Sequence, residues 1–142
     1  MPDVFLRAAA ADEQPVIRRM IRAAGLNPFG LHWPRFVVAV TAGAQDADLA
    51  APGAVVGIGQ VKILGDGTPE LASLVVLPEY QGRGVGGAIV WTLIERTQGP
   101  IYLRCASYNE GYYRRFGFRT LAPAEMPRSL RRVVRFATIA VS

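Results

Sequence analysis

Residues 78–88 read PEYQGRGVGGA, with four glycines, Gly82, Gly84, Gly86 and Gly87, inside six positions. Glycine disfavours a helix. Yet the stretch VGGAIVWTLIERTQ (85–98) that continues from it carries helical apolar spacing. Bare backbone at a helix start lets a bulky anion reach N–H groups that have no partner in the helix. The segment before it, PELASLVVL (69–77), is rich in branched apolar residues and reads as a strand. Strand, glycine loop and helix in succession point to a phosphate-bearing ligand.

Three phosphate loops compete. A P-loop needs Gly-Lys-Ser/Thr after its glycines, and Gly86-Gly87-Ala88 supplies none of it. A dinucleotide fingerprint is literally present in Gly82, Gly84 and Gly87. However, Pro78-Glu79-Tyr80-Gln81 separate it from the strand, and the acid expected about twenty residues on is replaced by Leu103-Arg104-Cys105. The third pattern is Gln81-x-x-Gly84-x-Gly86 after LVVLP. It resembles the pyrophosphate loop of the GNAT superfamily of acyl-CoA-dependent N-acetyltransferases. An ordinary glycine-rich turn is the plain alternative. A second segment, NEGYYRRFGF (109–118), is similar to the Asn-x-x-aromatic-Tyr-x-x-x-Gly-Phe signature of the same family. The resemblance runs over nearly the whole chain and is nearest to a bacterial subgroup of unassigned substrate.

The rest of the chain agrees in element order. VFLRAA (4–9) reads as a strand. Asp12 is a candidate N-cap for a helix carrying Val16, Ile17, Met20, Ile21 and Ala24, which Gly25 ends. LNPFGLHWP (26–34) is turn-rich, with room for a short helix. RFVVAVTA (35–42) and AVVGIGQVKIL (54–64) are strands, joined by a loose loop over 43–53. GDGT (65–68) is a tight turn. After the helix stopped by Gly99-Pro100 come a strand at 101–105, a short helix near 108–116, a strand at 117–121, an irregular stretch at 123–132 and a last strand at 133–141. This predicts one α/β domain over residues 1–142 with a mixed sheet of about seven strands and flanking helices. The resemblance adds that strands four and five splay apart.

At 142 residues and 51% hydrophobic content the chain has room for a good core and is too apolar for disorder. No apolar run is long enough to span a membrane. MPDVFLRAAAADEQPVIRRM has early acids and no apolar signal core, and the single Cys105 cannot make an internal disulfide, so a cytoplasmic setting is expected. The net charge of +5 rests almost wholly on arginine, Lys62 being the only lysine. Such charge suits anionic partners. One histidine, His32, offers no metal cluster, and no metal is expected.

The resemblance implies a mechanism. Acetyl-CoA (coenzyme A) is the expected cofactor, with Leu74, Val75 and Val76 offering backbone groups to its pantetheine arm. Gln81, Gly82, Arg83, Gly84, Val85 and Gly86 cradle its diphosphate, and Asn109 meets the arm unless it is only a helix cap. The N–H of Val76 is set near the thioester carbonyl, where it stabilises an oxyanion. An acceptor amine like that of lysine is neutral at pH 7 in only on the order of one molecule in a thousand, so a base is needed. Glu70, six residues before Val76, is the candidate, the alternative being a solvated carboxylate at a strand end. Tyr113, four residues before Gly117, matches the family's general acid, with Tyr112 the better candidate for plain packing. By the same analogy His32, Trp33, Arg35, Gln60 and Lys62 wall the acceptor site. Arg35 and Lys62 suit a carboxylate-bearing amine. The expected function is acetyl transfer to a primary amine of a small molecule by direct attack in a ternary complex, with neither nucleic acid nor membrane as partner. A homodimer is common in the family, and the apolar last strand is a candidate surface for one. Two alternatives stay open. One is a non-catalytic acyl-CoA sensor. The other is a nucleic-acid-binding basic module built on Arg114, Arg115, Arg119, Arg128, Arg131, Arg132 and Arg135, which lack the interleaved aromatics of a stacking platform.

Overall fold

The structure is a computed structural model and describes residues 4–42, 53–131 and 137–141. The loop expected over 43–53, apart from Gly53, and the start of the last strand lie outside those residues, as do Arg132 and Arg135. The described elements run β1 (Val4–Ala8), α1 (Gln14–Ala24), β2 (Phe36–Thr41), β3 (Val55–Ile63), β4 (Pro69–Val76), α2 (Val85–Arg96), β5 (Ile101–Cys105), α3 (Glu110–Arg114), β6 (Arg119–Thr120) and β7 (Ala137–Val141). They form a seven-stranded sheet in the order β1-β2-β3-β4-β5-β7-β6. β1, β2 and β3 run antiparallel in turn, whereas β4 and β5 are parallel with Glu70 opposite Tyr102. This is the mixed α/β sheet with flanking helices that the sequence predicts. The chain is organised as two compact units, Met1–Gln60 with Ser73–Leu93, and Val61–Ala72 with Ile94–Ser142.

In the first unit every position of β2 is buried. Phe36, Val38 and Val40 meet Ile17, Met20 and Ile21 of α1 and Ile58 of β3 in one core. The helical spacing of those α1 residues is what turns them to the sheet. Gly25 closes α1 in the left-handed conformation, as expected. Asp12 is not the cap: it sits in a 3-10 turn (Ala11–Glu13) ahead of the helix, and no side chain caps α1. The acid that counts there is Glu13. It accepts two hydrogen bonds from Arg7 at 2.8 Å each and one from the Ala10 N–H at 2.7 Å. Those donors hold its carboxyl below the usual carboxylate range, the Arg7 hydrogen bonds contributing most. Gly57 and Gly59 of β3 let α2 settle onto the strand. A Cβ at Gly59 would stand 2.7 Å from Ile89 Cγ2, and one at Gly57 2.9 Å from Ile89 Cδ1.

In the second unit β5 alternates. Ile101, Leu103 and Cys105 are buried, while Tyr102 and Arg104 on the other face are half-buried. β7 lies between β5 and β6 and pairs antiparallel with both. The expected strand at 117–121 shrinks to two residues, and the irregular 123–132 stretch holds two 3-10 turns. Asp66 in the 65–68 turn accepts the N–H of Thr68 at 3.1 Å and of Ser129 at 3.0 Å. These bonds hold its carboxyl far below the ordinary range.

Candidate active site

β4 is regular up to Ser73, which takes φ 59 and is the one described non-glycine residue with positive φ. The left-handed conformation costs an L-residue roughly 1–2 kcal/mol. Here it is held by Gln60, whose Nε2 donates to Ser73 Oγ at 2.8 Å and to the Gly30 carbonyl at 3.2 Å. Beyond Ser73 the strand residues Leu74, Val75 and Val76 are half-buried. With Val16, Met20 and Ala23 of α1, they line a cleft of about 640 Å³ that reaches Gln81. Four of the residues expected to bind the donor thus lie on one cavity.

The glycine loop continues from it. Gln81 Nε2 donates to the Val76 carbonyl at 2.9 Å, tying loop to strand. Gly82 and Gly84 take φ 76 and 83. A Cβ on either would meet nothing within 4 Å, so conformation requires glycine there and the side toward a ligand is open. The first helical bond of α2 runs from the Ala88 N–H to the Gly84 carbonyl at 3.0 Å. The N–H groups of Val85, Gly86 and Gly87 precede that ladder and are the helix's unpaired donors. Arg83 lies over the Tyr80 ring, its guanidinium carbon 5.5 Å from the centroid. Unpaired N–H donors, glycine backbone and an adjacent arginine fit a diphosphate.

Tyr113 stands on α3 among aromatics, its ring edge-on to Tyr112 at 5.1 Å and Phe118 at 5.9 Å. Burial, with Tyr112 and Cys105 close by, pushes its phenol up to about 12. Tyr113 is therefore a neutral hydrogen-bond donor across the physiological range. Asn109 precedes α3, is exposed and makes no side-chain cap bond. Cys105 is buried, and that burial raises its thiol.

Glu70 differs from the solvated alternative. It is only 4% exposed and forms a bidentate pair with Arg104 Nε and Nη2 at 2.5 and 3.0 Å. Arg104 follows from β5 register and could not be paired with Glu70 from sequence spacing alone. Of the acceptor-side residues, His32, Trp33 and Arg35 share an open cleft of about 500 Å³ with Gln14 and Arg18. Gln14 fixes that wall: Nε2 donates to the Leu31 carbonyl at 2.6 Å and Oε1 accepts the Trp33 N–H at 2.8 Å. Gln60 is fully buried and is not on that cleft. Lys62 is half-buried near the end of β3. Three of the arginines behind the nucleic-acid alternative are engaged internally: Arg119 with Glu125, Arg131 with the Met126 carbonyl, and Arg115 over the Tyr112 ring. Among the described residues no cluster of three metal-ligating side chains occurs, and no helix is long and apolar enough to cross a membrane. The sequence reading missed Ser73, Arg104 and Arg18. Only the last, one turn from Gln14 on α1, carried a signal in its helical spacing.

A strand with a left-handed residue at Ser73 that runs into such a loop, in a sheet of this order, fits the class of acyl-CoA-dependent transferases. The acyl donor of that class is acetyl-CoA. Over residues 18–118 the sequence matches the model of the acetyltransferase (GNAT) family, and the chain belongs to that family. No curated protein matches it in sequence. The fold is similar to that of N-acetylglutamate synthase from Neisseria gonorrhoeae, complexed with coenzyme A and N-acetyl-glutamate (TM-score 0.74, 19% identity). That match covers 99% of this chain and 35% of the other, so the chain spans about a third of the synthase's length. It is also similar to Rv2747 from Mycobacterium tuberculosis in complex with CoA (TM-score 0.73, 16% identity, 96% and 98% covered). A GNAT-family acetyltransferase from Staphylococcus aureus matches at TM-score 0.69 with 14% identity, covering 98% of each chain.

Proposed function

We propose that this protein transfers an acetyl group from acetyl-CoA to a primary amine of a small carboxylate-bearing molecule, by direct attack in a ternary complex. The observation that carries the reading is the cleft along Leu74–Val76 that opens onto Gln81 and the positive-φ glycines. Backbone donors of the loop and of the α2 start hold the diphosphate, and the Val76 N–H stabilises charge developing on the carbonyl oxygen. The amine nitrogen forms the new C–N bond as the C–S bond breaks. Glu70, held by Arg104, takes the amine's proton through water. Tyr113 meets the departing thiolate. An ordinary thiol ionises near roughly 8.5, well below a phenol at about 12. Tyr113 therefore acts by donating a hydrogen bond that stabilises the thiolate, with the proton staying mostly on the phenol.

Two features support a carboxylate on the acceptor. Arg18 and Arg35 face one open cleft with His32 and Trp33. The neisserial enzyme of the same fold carries N-acetyl-glutamate. The test is calorimetric titration with acetyl-CoA and NADPH, followed by thiol release across amines with and without carboxylates. Micromolar acetyl-CoA binding that is lost in Gly84→Val, and turnover confined to the carboxylate-bearing amines, are expected. Gly84→Val puts a branched residue at φ 83, a strain of about 1–2 kcal/mol, and a side chain on the ligand side of the loop. Binding of NADPH alone, or turnover indifferent to the carboxylate, overturns the corresponding part of the reading.

A further inference from the structure

Gln60 is fully buried, and its amide is only partly satisfied. Both Nε2 hydrogens are used, on Ser73 Oγ and the Gly30 carbonyl, while Oε1 is buried with no partner. A carbonyl only accepts, so the nitrogen must face Gly30 and the orphan oxygen cannot be relieved by turning the amide over. Leaving a buried acceptor unpaired costs the fold. Methionine would fill this place in the sheet without that cost. Ser73 and Gly30 do not need Gln60 for hydration either, since Ser73 is half-buried and Gly30 exposed. The glutamine is therefore a stability liability whose two donors reach two particular places. One is the left-handed residue from which the donor-side strand, Leu74–Val76, departs. The other is the turn leading into the segment that Gln14 pins through Leu31 and Trp33.

We propose that Gln60 is a positioning residue of the transfer site. From inside the sheet it fixes left-handed Ser73 of β4 and the 30–33 segment at one separation, so that donor strand and acceptor wall are held as a unit. The inference rests on β4 being the donor strand. It assigns Gln60 no contact with substrate, in place of the direct acceptor contact that the family analogy suggested. Errors of about 1 Å in such a separation are enough to cost on the order of a hundredfold in rate.

The test compares the wild-type chain with Gln60→Met and Ser73→Ala by amide hydrogen exchange, thermal unfolding and calorimetry with acetyl-CoA. Ser73→Ala removes the hydroxyl and keeps Cβ, so the backbone strain is unchanged. For Gln60→Met the expected result is a melting midpoint at or above the wild-type value. Exchange should be about tenfold faster in peptides spanning 29–35 and 72–78, in line with one lost hydrogen bond at each, and unchanged in β2. Ser73→Ala should loosen 72–78 alone. Both should bind acetyl-CoA more weakly than wild type. Unchanged exchange at either segment in Gln60→Met, or a lowered midpoint with exchange raised throughout, overturns the proposal. If Gln60→Met does not fold, the positioning role is likewise refuted, because a purely structural glutamine is then demonstrated; unchanged 72–78 exchange in Ser73→Ala refutes it independently. Failure of the wild-type protein to bind acetyl-CoA instead refutes the reading of β4, whatever the variants do.

Discussion

Gly57 and Gly59 make a prediction that separates two atoms of one side chain. A Cβ at Gly57 would lie 2.9 Å from Ile89 Cδ1 and 3.2 Å from Val85 Cγ1; at Gly59 it would lie 2.7 Å from Ile89 Cγ2 and 3.2 Å from Leu93 Cδ1. Carbon atoms pack at about 3.5 Å or more, so α2 must move out by about 0.6–0.8 Å. Ile89 is fully buried and has nowhere to turn. Overpacking of this kind costs about 1–3 kcal/mol, and removing a glycine from the unfolded chain returns about 0.4–1 kcal/mol. Each Gly→Ala change should therefore lower stability by about 1–2 kcal/mol, or the melting midpoint by about 2–8 °C. Ile89→Val removes Cδ1 and keeps Cγ2, at a cost of about 0.5–1.5 kcal/mol by itself. In urea unfolding, Gly57→Ala with Ile89→Val should be less destabilised than the sum of the singles by about 1 kcal/mol, whereas Gly59→Ala with Ile89→Val should add within about 0.5 kcal/mol. Gly57→Ala should also weaken acetyl-CoA binding more than Gly59→Ala, because its second contact is the first residue of α2. Equal coupling in the two cycles, or coupling only at Gly59, would refute the seating of α2 described above.

For Tyr113, absorbance at 295 nm should show a step near pH 12 that Tyr113→Phe lacks. Since its folded value is raised, its contribution to stability is whole below the ordinary phenol range and is lost as pH rises from about 10 toward about 12. Glu13 works the other way. Its carboxyl is held below the usual carboxylate range by Arg7, so its stabilisation is present at neutral pH and is lost as pH falls through the folded value. Glu13→Gln should cost about 1 kcal/mol at pH 7, after allowing for the partly exposed Arg7, and the gap from wild type should close in acid unfolding. Glu70→Gln should lower kcat by about a hundredfold or more in a steady-state assay of thiol release. A loss of stability with kcat intact would reduce Glu70 to the structural partner of Arg104. Arg104→Met, which leaves a buried carboxylate alone, should destabilise by up to about 3 kcal/mol.

Much of this was legible in one dimension. The glycines at 82 and 84 stand at positive φ because a turn from strand to helix needs it, and glycine is what allows it. Branched apolar runs became β2 and β3, the spacing of Ile17, Met20 and Ile21 became the inner face of α1, and Gly25 became its stop. These are local demands of backbone sterics and hydrophobic period, so they can be read residue by residue. The positions of single polar side chains were decided otherwise. Asp12 had the composition of a cap, but no side chain caps α1, and the acid engaged there is Glu13, on which Arg7 and the Ala10 N–H converge in space. Glu70 was a candidate base that could also have been a solvated strand end until parallel pairing brought β5, and Arg104 with it, alongside. Nothing in ELASLVV marks Ser73 as left-handed, and nothing in GQVK says that Gln60 reaches both it and Gly30. Hydrogen bonds between residues far apart in the chain depend on register and distance, which sequence order does not carry. The binding loop could therefore be found from the sequence, whereas the groups that hold the strand beside it were fixed only when the sheet formed.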